Sequence, residues 1–377
     1  MCPSKKFITI QLLLFAVFSL PALAQDIDPL ALLPEDTSVL VKVDFQKFVK
    51  AYFFKHFKES LLEKIPGYPK FIKLLEDAQL SPLDTKENKP LEYVKEIYLA
   101  KAGLDESEDD VVALIIGTAD LEYTMGTLKD KLPDKIVKMH TTEKGEKFYE
   151  THGLLSKDET LYFVQVVDKQ AIGVARTREA ALAFLARAAQ EDAPKGIRKN
   201  KSLNTLANKV IPADSEDAPF LAVIVTIDEK QRKKFAESDD ADTNWLQHVE
   251  SAYLQVNTSR SLGGLNIEAH CKCTSEEAAE KIKTSLDILR IKAALVAHNA
   301  VTRDILKSFE AQKTREKASL KISSSLYYID PRHIIDEIKL LTLGPDKEAE
   351  EEEEAAAEAE EETEEEEREV EEESPSP

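Results

Sequence analysis

Glycine is scarce in this chain, 11 in 377 residues, which leaves few places where a backbone can fold closely around a phosphate or nucleotide. Cysteine is scarcer, three in all, and that excludes a small disulfide-stapled scaffold. There is no His-Glu-x-x-His, no Gly-x-Ser-x-Gly, no phosphate-cradling glycine loop and no EF-hand pattern. The seven histidines are scattered without metal-ligand spacing. No catalytic residue, cofactor-binding residue, cofactor or metal ligand is assigned, and the sequence leans away from an enzyme.

What is present begins with a three-part leader. Lys5 and Lys6 supply positive charge, and Phe7 to Leu20 is apolar apart from Thr9, Gln11 and Ser19. Pro21 ends the run, and Ala22-Leu23-Ala24 is a small-x-small cleavage site. Residues 1–24 read as a signal peptide cut before Gln25, so the chain is expected to be exported, to the periplasm or beyond the cell. Cys2 leaves with the leader. No later segment reaches the roughly 20 apolar residues of a membrane-spanning helix, so no integral span is expected after cleavage.

Charge is unevenly placed. Of the formal −21, −17 lies between Glu348 and Glu373, where 18 glutamates face Arg368, so the rest of the chain carries −4. A nearly neutral body has no basic excess for nucleic acid or anionic lipid. Residues 343–377 hold too little apolar surface to offset the entropy of ordering, and a disordered Glu-rich tail is expected there. Such a tail acts as a solubilising spacer, or as a weak, millimolar binder of divalent cations.

Between leader and tail the pattern repeats. Pro34-Glu-Asp-Thr37 precedes the strand-like Ser38 to Val43 and the helical Gln46 to Lys64; Pro212-Ala-Asp-Ser215 precedes Phe220 to Ile227 and the helical Glu229 to Glu237. In the first copy there follow a helix over 70–78, strands over 93–102 and 111–118, and a helix from Asp120. Strands over 147–151, 160–167 and 171–176 then lead to a helix over 179–190. In the second copy, strands over 251–258 and 265–273 flank a Gly263-Gly264 turn, with a helix from Ser275 and a strand over 318–329. The shared β-α-β-β-α-β order predicts an α+β fold of two related modules, with mixed or antiparallel sheets, helices on one face and a split, ferredoxin-like arrangement. The boundaries are a mature N-terminal lead at 25–33, module 1 at 34–190, a linker at 191–199 and module 2 at 200–342.

The segments ALLPEDTSVLVKVDFQKF (31–48) and SLNTLANKVIPADS (202–215) resemble a functionally uncharacterised family of exported bacterial proteins. In that family a short helix, an LP-x-D-T/S turn and a strand ending in Asp recur twice in one chain. The resemblance implies an envelope location and a bilobed α+β body, and carries no reaction.

Three constellations could carry chemistry. His270-Cys271-Lys272-Cys273 offers two thiols and an imidazole, donors for Cu(I) or redox exchange. On a strand, however, Cys271 and Cys273 share a face that His270 leaves, and side chains two apart sit about 6.5–7 Å apart, too far for a cystine; buried core thiols are expected. Asp44 and Asp228 invite a carboxylate pair, but each stands where an N-cap belongs. Thr274 to Glu277 fits a capping box, and Ala278, Ile282, Leu286, Leu289, Ala293 and Val296 form one apolar helix stripe, read as core. The functional expectation is a non-enzymatic exported interaction protein with an envelope or extracellular protein partner. The alternatives are an enzyme or small-ligand binder with its site between the modules, and a Ca²⁺-responsive surface protein acting through its tail.

Overall fold

The computed structural model describes residues 27–50, 94–104, 111–117, 137–152, 160–167, 170–189, 195–212, 218–237, 244–258, 265–296, 307–314 and 318–326, with isolated positions at Leu121, Glu122, Met125, Gly126, Lys129 and Arg303. The signal peptide expected over 1–24, the helix over 70–78, the Gly263-Gly264 turn and the tail over 343–377 lie outside the described residues.

The first half contributes α1 (Pro29–Leu32), β1 (Thr37–Asp44), α2 (Phe45–Lys50), β2 (Val94–Ala102), β3 (Val111–Gly117), β4 (Val137–Thr141), β5 (Lys147–His152), β6 (Thr160–Val167), β7 (Ala171–Ala175) and α3 (Arg178–Ala188). After a 3-10 turn, Gly196–Lys199, the second half contributes α4 (Lys201–Val210), β8 (Leu221–Thr226), α5 (Glu229–Ala236), β9 (Val249–Thr258), β10 (Leu265–Cys273), α6 (Glu276–Val296), β11 (Glu310–Lys313) and β12 (Ser319–Leu326). Among the described residues the strands form one 12-stranded sheet in the order β11-β12-β10-β9-β8-β1-β2-β3-β7-β6-β5-β4. Every neighbouring pair is antiparallel.

This corrects the split arrangement. β1 pairs directly with β2, and β8 with β9, so no parallel pair is interleaved. The helix-strand order along the chain is the same for both arrangements, and pairing is settled by which edge finds a partner. The free edge of β1 finds β8: Val39 lies opposite Val225, Val41 opposite Val223 and Val43 opposite Leu221.

Helices cover both faces of the sheet, not one. α3 packs on β6 and β7, and α4 on β8 and β9. Together with α1 they enclose a core running from Leu33, Leu40 and Leu114 through Phe148 and Phe184 to Leu203, Ile224 and Tyr253. On the opposite face α6 packs on β10 and β12 over Ile227, Val249, Cys271, Cys273 and Leu320. In the first half β7 is buried at every residue and β3 at all but one, as strands covered on both faces are. The larger core draws residues from both halves.

The N-terminal lead and the linker also join this core. Leu30 to Leu33 are buried, and so are Gly196 and Ile197. Gly196 has φ +56°, and a Cβ there would lie 2.2 Å from the Leu33 carbonyl oxygen and 2.6 Å from that of Ala31. Arg198 grips Asp28 with Nε and Nη2, each at 2.8 Å, and Arg187 Nε donates to the Leu32 carbonyl. A stretch that reads as a polar joint is therefore a latch over the centre of the sheet.

Gly196→Ala combines left-handed strain with this backbone clash and is expected to cost about 3 kcal/mol. Gly145 has φ +83° with open space around it, so Gly145→Ala should cost only about 1 kcal/mol. Urea denaturation of the two variants measures the difference, and equal losses would refute the latch.

Candidate functional site

The two aspartates do not meet. Asp44 Oδ1 accepts from the Lys47 N–H at 2.9 Å. Asp228 Oδ1 accepts from the Gln231 N–H at 2.7 Å while Gln231 Oε1 accepts from the Asp228 N–H at 3.0 Å, a reciprocal capping box. Because β1 and β8 run antiparallel, the register leaves these carboxylates at opposite ends of the ladder, roughly 25 Å apart along the strands. At the start of α6 the cap is Ser275, whose hydroxyl accepts from Ala278 N–H at 3.0 Å, one residue beyond the expected Thr274.

Between the halves lies the paired β1–β8 ladder, with a buried polar group beside it. Lys42 Nζ lies 2.6 Å from Glu96 Oε1, and Tyr98 Oη donates to Glu96 Oε2 at 2.8 Å. Burial first, and then the Glu96 carboxylate, push the Tyr98 hydroxyl far above its ordinary range. Glu96 satisfies both neighbours, which gives the group a structural account.

Cys271 and Cys273 are buried and in no disulfide, but their Sγ atoms are 3.8 Å apart, within S–H···S contact. That is much closer than the regular spacing of two strand side chains. The register with β9 shifts here, Lys272 facing Ser251 and Cys273 facing Val249, and a bulge of this kind raises the local twist. The hydrogen bond with Cys273, and then burial, push the Cys271 thiol far up. His270 lies on the other face, stacked on Tyr253 at 5.3 Å between ring centroids.

α6 provides the most open surface. Its first turns bury Ala278, Ala279 and Ile282 against β10 and β12. Further along, Ile288, Ile291 and Leu295 are 48%, 55% and 77% exposed. They recur at i, i+3 and i+7, one side of the helix. Ile291, Ala294 and Leu295 floor a groove of about 610 Å³ whose other lining residues are Arg290, Arg303 and Lys307. Arg290 Nη1 donates to the Phe309 carbonyl at 2.6 Å and fixes this end of the helix to the approach to β11. A second groove, about 480 Å³, runs between α6 and Trp245. Of the expected core stripe, Ala278 and Ile282 are core and Leu286 packs against it, while the side chains of Leu289 and Val296 lie outside the described residues. The second stripe was available in the run Asp287 to Val296, which is apolar on more than one side.

A second cluster was missed because its members are distant in sequence. The β4–β5 hairpin brings His140 Nε2 to 2.9 Å from Glu150 Oε2. His152 Nε2 contacts Glu150 Oε1, and Lys138 Nζ lies 3.5 Å from the same oxygen. The readable signal was Glu150-x-His152, two residues on one strand face. Among the described residues no three His, Cys, Asp or Glu side chains converge as a metal centre, and no helix is long and apolar enough to cross a membrane.

Burial alone would raise the Glu150 carboxyl. Hydrogen bonds from His152 and His140, with the charges of His152 and Lys138, outweigh it and hold the group below its ordinary value of 4.5. A carboxyl lowered on folding stabilises the fold above its unfolded pKa and loses that contribution as pH falls through the folded one. Glu150→Gln should therefore cost about 1 kcal/mol at pH 7 and less at pH 3. Urea melts at the two pH values test this, and a constant difference would refute it.

No protein-family model and no curated protein matches this sequence. Among solved structures, crystal form III of TP0453 is similar with a TM-score of 0.43 at 12% identity, over 83% of this chain and 98% of that one. Crystal form I of TP0453 gives 0.43 at 11%, over 84% and 98%.

Proposed function

We propose that this chain is an exported, non-enzymatic interaction protein that binds a partner protein along α6. The observation that carries the reading is the exposed stripe Ile288, Ile291 and Leu295, beside a groove whose lining includes Arg290, Arg303 and Lys307, with Arg290 Nη2 3.8 Å from Asp287 Oδ1. Apolar side chains exposed in a row on a rigid helix stabilise a complex when a partner covers them. The basic rim selects a partner segment that is amphipathic and acid-flanked. A concave floor suits a ridge of side chains better than a flat bilayer. The chain's own glutamates at 348–373 share the charge, but that stretch has one large aliphatic residue, Val370, and supplies too little to fill the floor.

The duplicated architecture belongs to the same reading. Outward from the centre the order is β1-β2-β3-β7-β6-β5-β4 on one side and β8-β9-β10-β12-β11 on the other, alike apart from the extra β5-β4 pair. Both β1 and β8 follow a helix and precede an Asp-capped one. These features support two diverged copies of one module, with α6 of the second copy turned over to binding. Export rests on residues 1–24, and the mature chain should begin at Gln25 on N-terminal sequencing.

The test is a photo-crosslinker at Leu295 in the full exported chain and in a chain truncated after Gly344, followed by binding assays with the captured partner. The expected product from both chains is a protein crosslinked through an acidic amphipathic segment. Ile291→Asp or Leu295→Asp should weaken that complex at least about tenfold. Met139→Asp, at the far edge of the sheet, should not. Crosslinking to the chain's own tail, to lipid, or to nothing would overturn the proposal.

A further inference from the structure

The thiol pair at the end of β10 has a geometry that strand spacing did not predict. Cys271 and Cys273 present their sulfurs to each other at 3.8 Å, on one face, beneath Ala278, Ala279 and Ile282 of α6 and beside Leu320. A cystine would need S–S about 2.05 Å and Cβ atoms about 3.5–4.5 Å apart, a large displacement for neighbours two apart on an extended strand. A metal ion needs far less. Two sulfurs 3.8 Å apart can both reach one ion at metal–sulfur distances of about 2.3 Å, and a few tenths of an ångström of opening makes the sulfur–metal–sulfur arrangement wider still.

We propose that Cys271 and Cys273 form a two-thiolate site for a soft monovalent cation of the Cu(I) class. The surroundings select the ion. Soft thiolates favour Cu(I), whereas Ca²⁺ and Mg²⁺ require shells of oxygen and structural Zn²⁺ takes four ligands. The core around the sulfurs is built from Ile227, Val249, Ala278, Ala279, Ile282 and Leu320; the carboxylate acting on Cys273, Glu250, is engaged by Lys272 Nζ at 2.7 Å, and no shell of oxygens is supplied among the described residues. Binding is a proton exchange: Cu⁺ displaces one proton from each thiol, giving a bis-thiolate complex of charge −1 and two protons released to water. No electron is transferred. Where both thiols start protonated, affinity rises up to about a hundredfold per pH unit.

The site lies on the face of β10 that α6 covers, and its occupation bears on the helix through Ala278 and Ile282, whatever partner α6 binds further along. It is independent of the proposed interaction, since the binding groove lies at Arg290 to Lys307.

The experiment uses the full chain carrying Cys2→Ser, in which Cys271 and Cys273 are the only thiols. Cu(I) is titrated anaerobically against a chromophoric Cu(I) chelator, and thiol alkylation is followed in parallel. The expected result is one Cu(I) per chain, protection of both thiols, and affinity that climbs from pH 6 to pH 8. Cys271→Ser and Cys273→Ser should each weaken binding at least about a hundredfold. Circular dichroism shows whether those variants fold, and protection of the unaltered thiols by Cu(I) tests the site without them. No binding, binding of Cu(I) with both thiols still alkylated, or unchanged affinity in a folded serine variant would each overturn the proposal.

Discussion

Val39 to Val43 of β1 lie antiparallel to Leu221 to Val225 of β8, and this five-residue ladder is what turns two sets of strands into one sheet. Each strand of the ladder is flanked on its other side by a full pairing, β1 by β2 and β8 by β9. The two halves therefore present no open edge to each other, and their cores merge over Leu40, Ala222 and Ile224. The latch at Gly196 and Ile197, with the lead at Leu30 to Leu33, covers this seam. Lys42, buried on the same central strands, has its ammonium 2.6 Å from the partly exposed Glu96, and a buried charge left without its partner would be strongly destabilising.

A rigid centre has consequences for the periphery. The carboxylates that cap α2 and α5 are held at opposite ends of the ladder, so they serve local helix starts and not a common reaction. The chemically varied groups are pushed outward. The His140–Glu150–His152 cluster sits near one end of the sheet, and the thiol pair and the apolar side of α6 sit toward the other. α6, 21 residues long, is packed on the sheet through its first turns, and Ile288, Ile291 and Leu295 are exposed further along it. A surface made this way is fixed by the sheet beneath the first turns of the helix.

Long apolar strands and capped helices were legible because they are local events. β6 and β10 fall on their expected ranges, Thr160–Val167 and Leu265–Cys273, and the α5 start follows from Asp228. The two strands not anticipated, β4 and β11, are the two ends of the sheet. Their sequences, VKMHT and EAQK, are short and polar, as edges must be to discourage further pairing, and polarity erases the signal by which strands are read. The core side of α6 was legible from periodicity, and Ala278, Ile282 and Leu286 lie on it, but the apolar Ile288, Ile291 and Leu295 stand on another side, which periodicity toward one core does not report.

Composition and spacing by themselves determined an α+β body with its long strands and Asp-capped helix starts, since each depends on residues within a few positions of one another. Tertiary structure alone decided that the strands form one antiparallel sheet covered on both faces, because pairing depends on which edges meet across the chain. It also decided that two sulfurs two residues apart come to 3.8 Å, and that His140 and His152 share Glu150. Those contacts arise from a shifted register and a hairpin, which the spacings Cys271-x-Cys273 and Glu150-x-His152 do not by themselves specify.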